Sequence, residues 1–149
     1  MANMCFNSLS LESPSEALKS YLLELVNECT EVAKKQEGIQ VDGVDDKVIF
    51  DLSTNCDDHF TYETKWATSI DFSKRIATLF PQESFEITFE EFGSRHAGMI
   101  RSKNGQVAVY FVKESFWDVL NEHDKTGSNA ELPSIEEHLD NQPKSQTNW

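Results

Sequence analysis

From Leu18 to Ala33 the apolar residues Leu18, Tyr21, Leu22, Leu25, Val26, Cys29, Val32 and Ala33 recur in steps of three and four. That spacing draws one stripe along an α-helix. The residues in front supply a start: Ser13 as cap, Pro14 at the first helical position and Glu16 at the third. Gly38 marks the end. A long helix with one wet face must lay the other on an apolar surface. The flanking sequence offers strands to make one.

Cys5 to Leu11 alternates, with Cys5, Asn7, Leu9 and Leu11 on one face and Phe6, Ser8 and Ser10 on the other. After Asp-rich turns around Gly43, Lys47 to Leu52 reads as a second strand. The acidic loop Asn55-Cys56-Asp57-Asp58 leads to a third strand, in which Phe60, Tyr62, Thr64 and Trp66 point inward. Asp71 caps a second helix bearing Phe72, Ile76, Leu79 and Phe80, stopped by Pro81. Phe85, Ile87 and Phe89 alternate along a fourth strand. Met99–Arg101 and Val107–Val112 flank Lys103-Asn104-Gly105-Gln106, a type I′ hairpin signal, because Asn and Gly tolerate positive φ. Ser115 to Asn121 adds a short helix with Phe116, Trp117 and Leu120. The order β-α-β-β-α-β plus a C-terminal β-hairpin predicts an α+β, ferredoxin-like sandwich. We expect one domain over residues 1–123 and a mobile, acidic, polar tail over 124–149.

Several residues fall in a familiar order. They are Cys5-Phe6-Asn7-Ser8-Leu9-Ser10-Leu11 followed by Pro14, then Thr64-Lys65-Trp66, Phe80-Pro81, Glu91-Phe92-Gly93, Gly98 and Asn104-Gly105. Together they resemble the YubB-type ferredoxin-like domain found on plasmids and phages, over roughly residues 2–112. The chain departs from that pattern at Met4, Ser13 and Ala67, where members carry Trp, Gly and Pro. The resemblance implies an origin on a mobile element and carries over no functional residues.

The net charge is −13 and unevenly placed. Residues 37–63 hold Glu37, Asp42, Asp45, Asp46, Asp51, Asp57, Asp58 and Glu63 against Lys47 alone. Phosphate binding rests on Lys and Arg, so direct nucleic-acid binding is disfavoured and a basic protein partner is better served. Cys5, Cys29 and Cys56 are odd in number and widely spaced, which suits reduced thiols in the cytoplasm of a bacterial host. No apolar run approaches the roughly 20 residues of a membrane span, and the first residues lack a secretory pattern.

Catalytic signals are sparse. Asp51 followed by Glu63-Thr64-Lys65 matches a nuclease pattern in which carboxylates hold Mg²⁺ and the lysine orients water. An exposed strand accounts for the same residues. His59, His96, His123 and His138 lack zinc spacing, and Cys56-Asp57-Asp58-His59 reads as a polar loop. No catalytic triad, metal site or cofactor motif is assigned. Phe60, Tyr62 and Trp66 would suit a base-stacking platform but have acids for neighbours, so core packing explains them better. Trp117 and Trp149 read as partner anchors.

The acids remain. Asp42, Asp45, Asp46, Asp51, Asp57, Asp58 and Glu63 form a ribbon of carboxylates able to occupy a DNA-binding groove. Plain solubility is the competing account. The leading expectation is a phage- or plasmid-encoded, non-enzymatic inhibitor of a host defence nucleic-acid enzyme, a CRISPR effector first. The alternatives are a Mg²⁺-dependent nuclease using Asp51, Glu63 and Lys65, or a self-associating adaptor.

Overall fold

A computed structural model describes residues 3–126 and 133–143. Its elements are β1 (Met4–Glu12), α1 (Glu16–Ala33), β2 (Phe50–Cys56), β3 (His59–Lys65), α2 (Ile70–Leu79), β4 (Ser84–Glu91), β5 (His96–Lys103), β6 (Gln106–Phe111) and α3 (Glu114–Thr126). A short 3₁₀ turn spans Glu136–His138. The six strands form one antiparallel sheet in the order β2-β3-β1-β4-β5-β6. This α+β arrangement of one sheet and three helices is consistent with a ferredoxin-like domain.

The period-two pattern of β1 decides the layering. Cys5, Leu9 and Leu11 turn to a face where Leu18, Leu22, Leu25 and Cys29 of α1 meet Phe72, Ile76 and Ala77 of α2. Phe60, Tyr62, Phe85, Ile87 and Phe89 complete this core, with the Tyr62 and Phe72 rings edge to face at 5.2 Å. Each large apolar side chain buried there contributes about 1.5–3 kcal/mol by leaving water.

A polar network centred on Asn7 lies within the core and ties it together. Asn7, 2% exposed, directs Nδ2 to the carbonyls of Cys5 and Tyr62 and to Thr64 Oγ1, while its Oδ1 accepts from Thr68 Oγ1 at 2.7 Å. Thr64 Oγ1 donates to the Ala67 carbonyl, and the Thr68 N–H donates to His96 Nε2. The β3–α2 connection is thereby fastened to both β1 and β5.

A second, smaller core lies apart from the first. Phe116, Trp117 and Leu120 of α3 pack with Ala97 and Ile135. The chain returns along the end of β6: Val112 bridges Leu139, Lys113 N–H donates to the His138 carbonyl, and Asp140 N–H donates to that of Phe111. Residues 133–140 therefore differ from the polar tail expected beyond residue 123, because Ile135 finds a pocket. Trp117 is likewise a core residue rather than an exposed anchor. Trp149 lies outside the described residues.

Local signals fared unevenly. The hairpin turn has Asn104 at φ 55° and Gly105 at φ 76°, as a type I′ turn demands. The α1 cap is Ser15, accepting from Leu18 N–H, with Ser13 in the left-handed region at φ 45°. The α2 cap is Ser69 rather than Asp71. Trp66, expected inward, lies just past β3 at φ 69° and is half exposed. The second strand begins at Phe50 and runs to Cys56; before it, Ile49 pairs with Ile39.

Candidate functional site

The predicted acids fall into three groups: in the loop before β2, at the β2 bulge with Glu63, and in the β2–β3 turn. At one end, Asp42 pairs with Arg75 Nη2 at 3.3 Å beside Gly43, while Asp45 N–H reaches Asp71 Oδ2. Asp46 is engaged internally: its carboxylate accepts from Ser69 Oγ (2.7 Å), Ile70 N–H (3.1 Å) and Asp71 N–H (3.4 Å). A carboxylate there satisfies orphan donors at the start of α2 and faces the positive end of its dipole. Asp46 therefore holds the fold and is set aside as a partner contact.

At the other end, Asp57 and Asp58 form the β2–β3 turn. Asp57 stands 4.0 Å from Lys19 with its side chain largely in water. Asp58 accepts from the exposed Cys56 thiol, and its carbonyl from Leu11 N–H.

Between them lies Asp51, at φ 53° where the β2–β3 register shifts between Phe50 and Ser53. The bulge brings Asp51 to the same cleft as Glu63. Burial first, then the neighbouring Asp51 carboxyl, raise the Glu63 carboxyl above its ordinary value. An acid raised on folding binds its proton more tightly in the folded state. Its stability penalty is absent below the unfolded value of 4.5 and grows as pH rises through the folded one. Glu63→Gln should therefore raise the melting temperature at pH 7 by about 1–2 °C, modestly because the site is partly wet. The difference should vanish on approaching pH 4 in thermal scans; a gain that persists there would contradict this assignment.

Glu63 belongs to the sheet face opposite α1 and α2. Pairing places Phe6 between Glu63 on β3 and Glu90 on β4, with Ser8 between Thr61 and Thr88 in the next row. α3 and Ile135 cover part of this face around Ala97, the cross-strand neighbour of Glu90, with Val112 and Phe92 beside them. Phe6 is 55% exposed, and Glu90 is also raised by burial. The sequence pattern put Phe6 on the outer face but gave no weight to it or to Glu90. Their convergence depends on β1 sitting between β3 and β4, a pairing over long range.

For the nuclease pattern, the structure joins Asp51 to Glu63, while Lys65 Nζ lies 5.5 Å above the Phe50 ring. Among the described residues no group of three or more His, Cys, Asp or Glu is arranged to hold a metal ion. Phe60 and Tyr62 lie in the core and offer no stacking platform. No helix among the described residues is long and apolar enough to cross a membrane.

No curated protein and no solved structure matches the chain. A family model does, over residues 48–129, from just before β2 to beyond α3. That span is more than half of the sequence, and the chain belongs to the family described as the ferredoxin-like domain in Api92-like protein.

Proposed function

We propose that this chain is a non-enzymatic binding module, of phage or plasmid origin and YubB-type, that docks on a basic protein through the acids of the loop before β2 and of the β2–β3 hairpin. The observation supporting this reading is the density of exposed carboxylates over residues 42–58: Asp42 and Asp45 before β2, Asp51 at its bulge, and Asp57 and Asp58 in the β2–β3 turn, with Glu63 half-buried near Asp51. A groove that binds nucleic acid is the partner such acids fit, since it is built to receive the same sign of charge on phosphates. A host defence enzyme, a CRISPR effector first, is the target class.

The test is capture of host proteins from a bacterial lysate, with release by salt or by added duplex DNA. Replacing Asp42, Asp45, Asp57 and Asp58 by Asn should weaken capture of the specific partner at least about tenfold, because exposed charge pairs act through a field that four substitutions largely remove. Asp46 is left intact because it holds α2. Thermal stability should stay within a few degrees of the parent. Undiminished capture by the variant would end the electrostatic reading.

One contact favours a second reading. The Asp51–Glu63 pair, with Lys65 two residues on, keeps alive a Mg²⁺-dependent nuclease. Cleavage of DNA that requires Mg²⁺ and disappears in Glu63→Ala would select it.

A further inference from the structure

Phe6 lies on the central strand of the sheet, on the face without α1 or α2. Its cross-strand neighbours on both sides are carboxylates, Glu63 and Glu90. Directly opposed residues in an antiparallel sheet stand about 4.5–5.5 Å apart at Cβ, so both acids are within reach of whatever lies on the ring. Three other rings already carry a cation of the protein's own: Lys65 on Phe50 at 5.5 Å, Arg101 on Tyr110 at 5.4 Å and Arg95 on Trp117 at 5.4 Å. Phe6, the most exposed of the large apolar side chains, has none among the described residues.

We propose that Phe6, Glu63 and Glu90 form a receptor for one arginine side chain of the protein partner. The guanidinium plane stacks on the Phe6 ring, and its edges donate to the two carboxylates. An exposed aromatic face attracts a cation through its quadrupole, and guanidinium is the weakly hydrated, planar cation best suited to stacking. Its forked donors match carboxylates on either side. Asp51 behind Glu63 adds negative charge, and the cleft lined by Phe6, Ser8, Asp51, Ser53, Thr61 and Glu63 gives the arginine stem a place to lie. Glu63 and Glu90 are both held above their ordinary carboxyl range by burial, and a cation between them would relieve that cost. This inference rests on the reading of the chain as a binding module for a basic partner and names the contact at its centre.

The probe is a short fluorescein-labelled peptide with three arginines spaced by Gly-Ser, compared with its citrulline counterpart. Anisotropy is read on the full chain at about 0.15 M salt, where exposed charges are screened within about 8 Å. Phe6→Leu, which keeps an apolar side chain and removes the π face, should bind the arginine peptide about tenfold more weakly. Glu63→Gln and Glu90→Gln should each weaken it severalfold, and the citrulline peptide should not bind. Glu31→Gln, a neutralised acid on the outer side of α1, should bind as the parent does. Equal binding by Phe6→Leu, or an equal loss in Glu31→Gln, would overturn the receptor while leaving the hairpin reading to its own salt-sensitive capture. Displacement by spermidine at concentrations where free arginine is inert would assign the site to polyamines and overturn the arginine assignment.

Discussion

Gly98→Ala is expected to cost the domain about 3 kcal/mol or more. A Cβ at this position would stand 2.1 Å from the Tyr110 carbonyl oxygen, 2.8 Å from Phe89 Cζ and 3.0 Å from Phe111 Cα. Two of these neighbours are backbone, and β5 is laddered to β4 on one side and β6 on the other. The strand cannot recede from one without straining the other. Nor can the Phe89 ring yield freely: it packs against His96 at 4.8 Å and Phe111 at 5.8 Å. The glycine at the hairpin tip makes the comparison. Gly105→Ala should cost only about 1–2 kcal/mol, the penalty of a side chain at φ 76°, since its nearest new contact is Pro81 Cβ at 3.3 Å. Urea unfolding of both variants measures the difference. A loss below 1 kcal/mol for Gly98→Ala would mean the strands stand farther apart than described.

Asn7→Ala should lose about 2–4 kcal/mol, although it removes few atoms. The asparagine serves four groups at once, and truncation leaves the Thr68 hydroxyl without its acceptor in a site only 4% exposed. A buried polar group left unpaired costs about 1–3 kcal/mol, and here the Thr64 hydroxyl and the Tyr62 carbonyl lose a donor as well. The void adds to this. Ser8→Ala, one residue along the same strand but on the opposite face, should stay within about 0.5 kcal/mol of the parent. Equal stability of the two variants in chemical denaturation would remove Asn7 from its central role.

These contrasts show what the amino-acid order makes readable. The stripe from Leu18 to Cys29 and the alternation from Cys5 to Leu11 are local, and each survived because its period is a property of a few neighbouring residues. The Asn104-Gly105 turn was legible for the same reason. What failed depended on distant partners. Asp71 looked like the cap of α2, yet Ser69 takes that place with Asp46, 23 residues before it in the chain, gripping its hydroxyl. The bulge that turns Asp51 toward Glu63 has no residue signature such as glycine. Ile135 looked like one apolar residue in a polar stretch until α3 and Ala97 gave it a pocket. The candidate site was half legible: charge density marked the hairpin, but the cross-strand register alone brings Phe6 and Glu90 to it.

The sheet order also governs how this chain comes into being. β1 leaves the ribosome before the strands it pairs with, so its two edges await β3 and β4; Asn7 and its contact at Tyr62 are 55 residues apart, and Phe6 must wait longer still for Glu90. Both hydrogen-bonding edges of the middle strand therefore stay unclaimed through much of translation. Closure of the sheet resembles fastening a garment from the centre only after both side panels are cut: slow, because long loops must close first, and exposed to wrong partners meanwhile. The amphipathic α1, complete soon after β1 and able to cover its apolar side, is the nearest shelter that strand has while it waits.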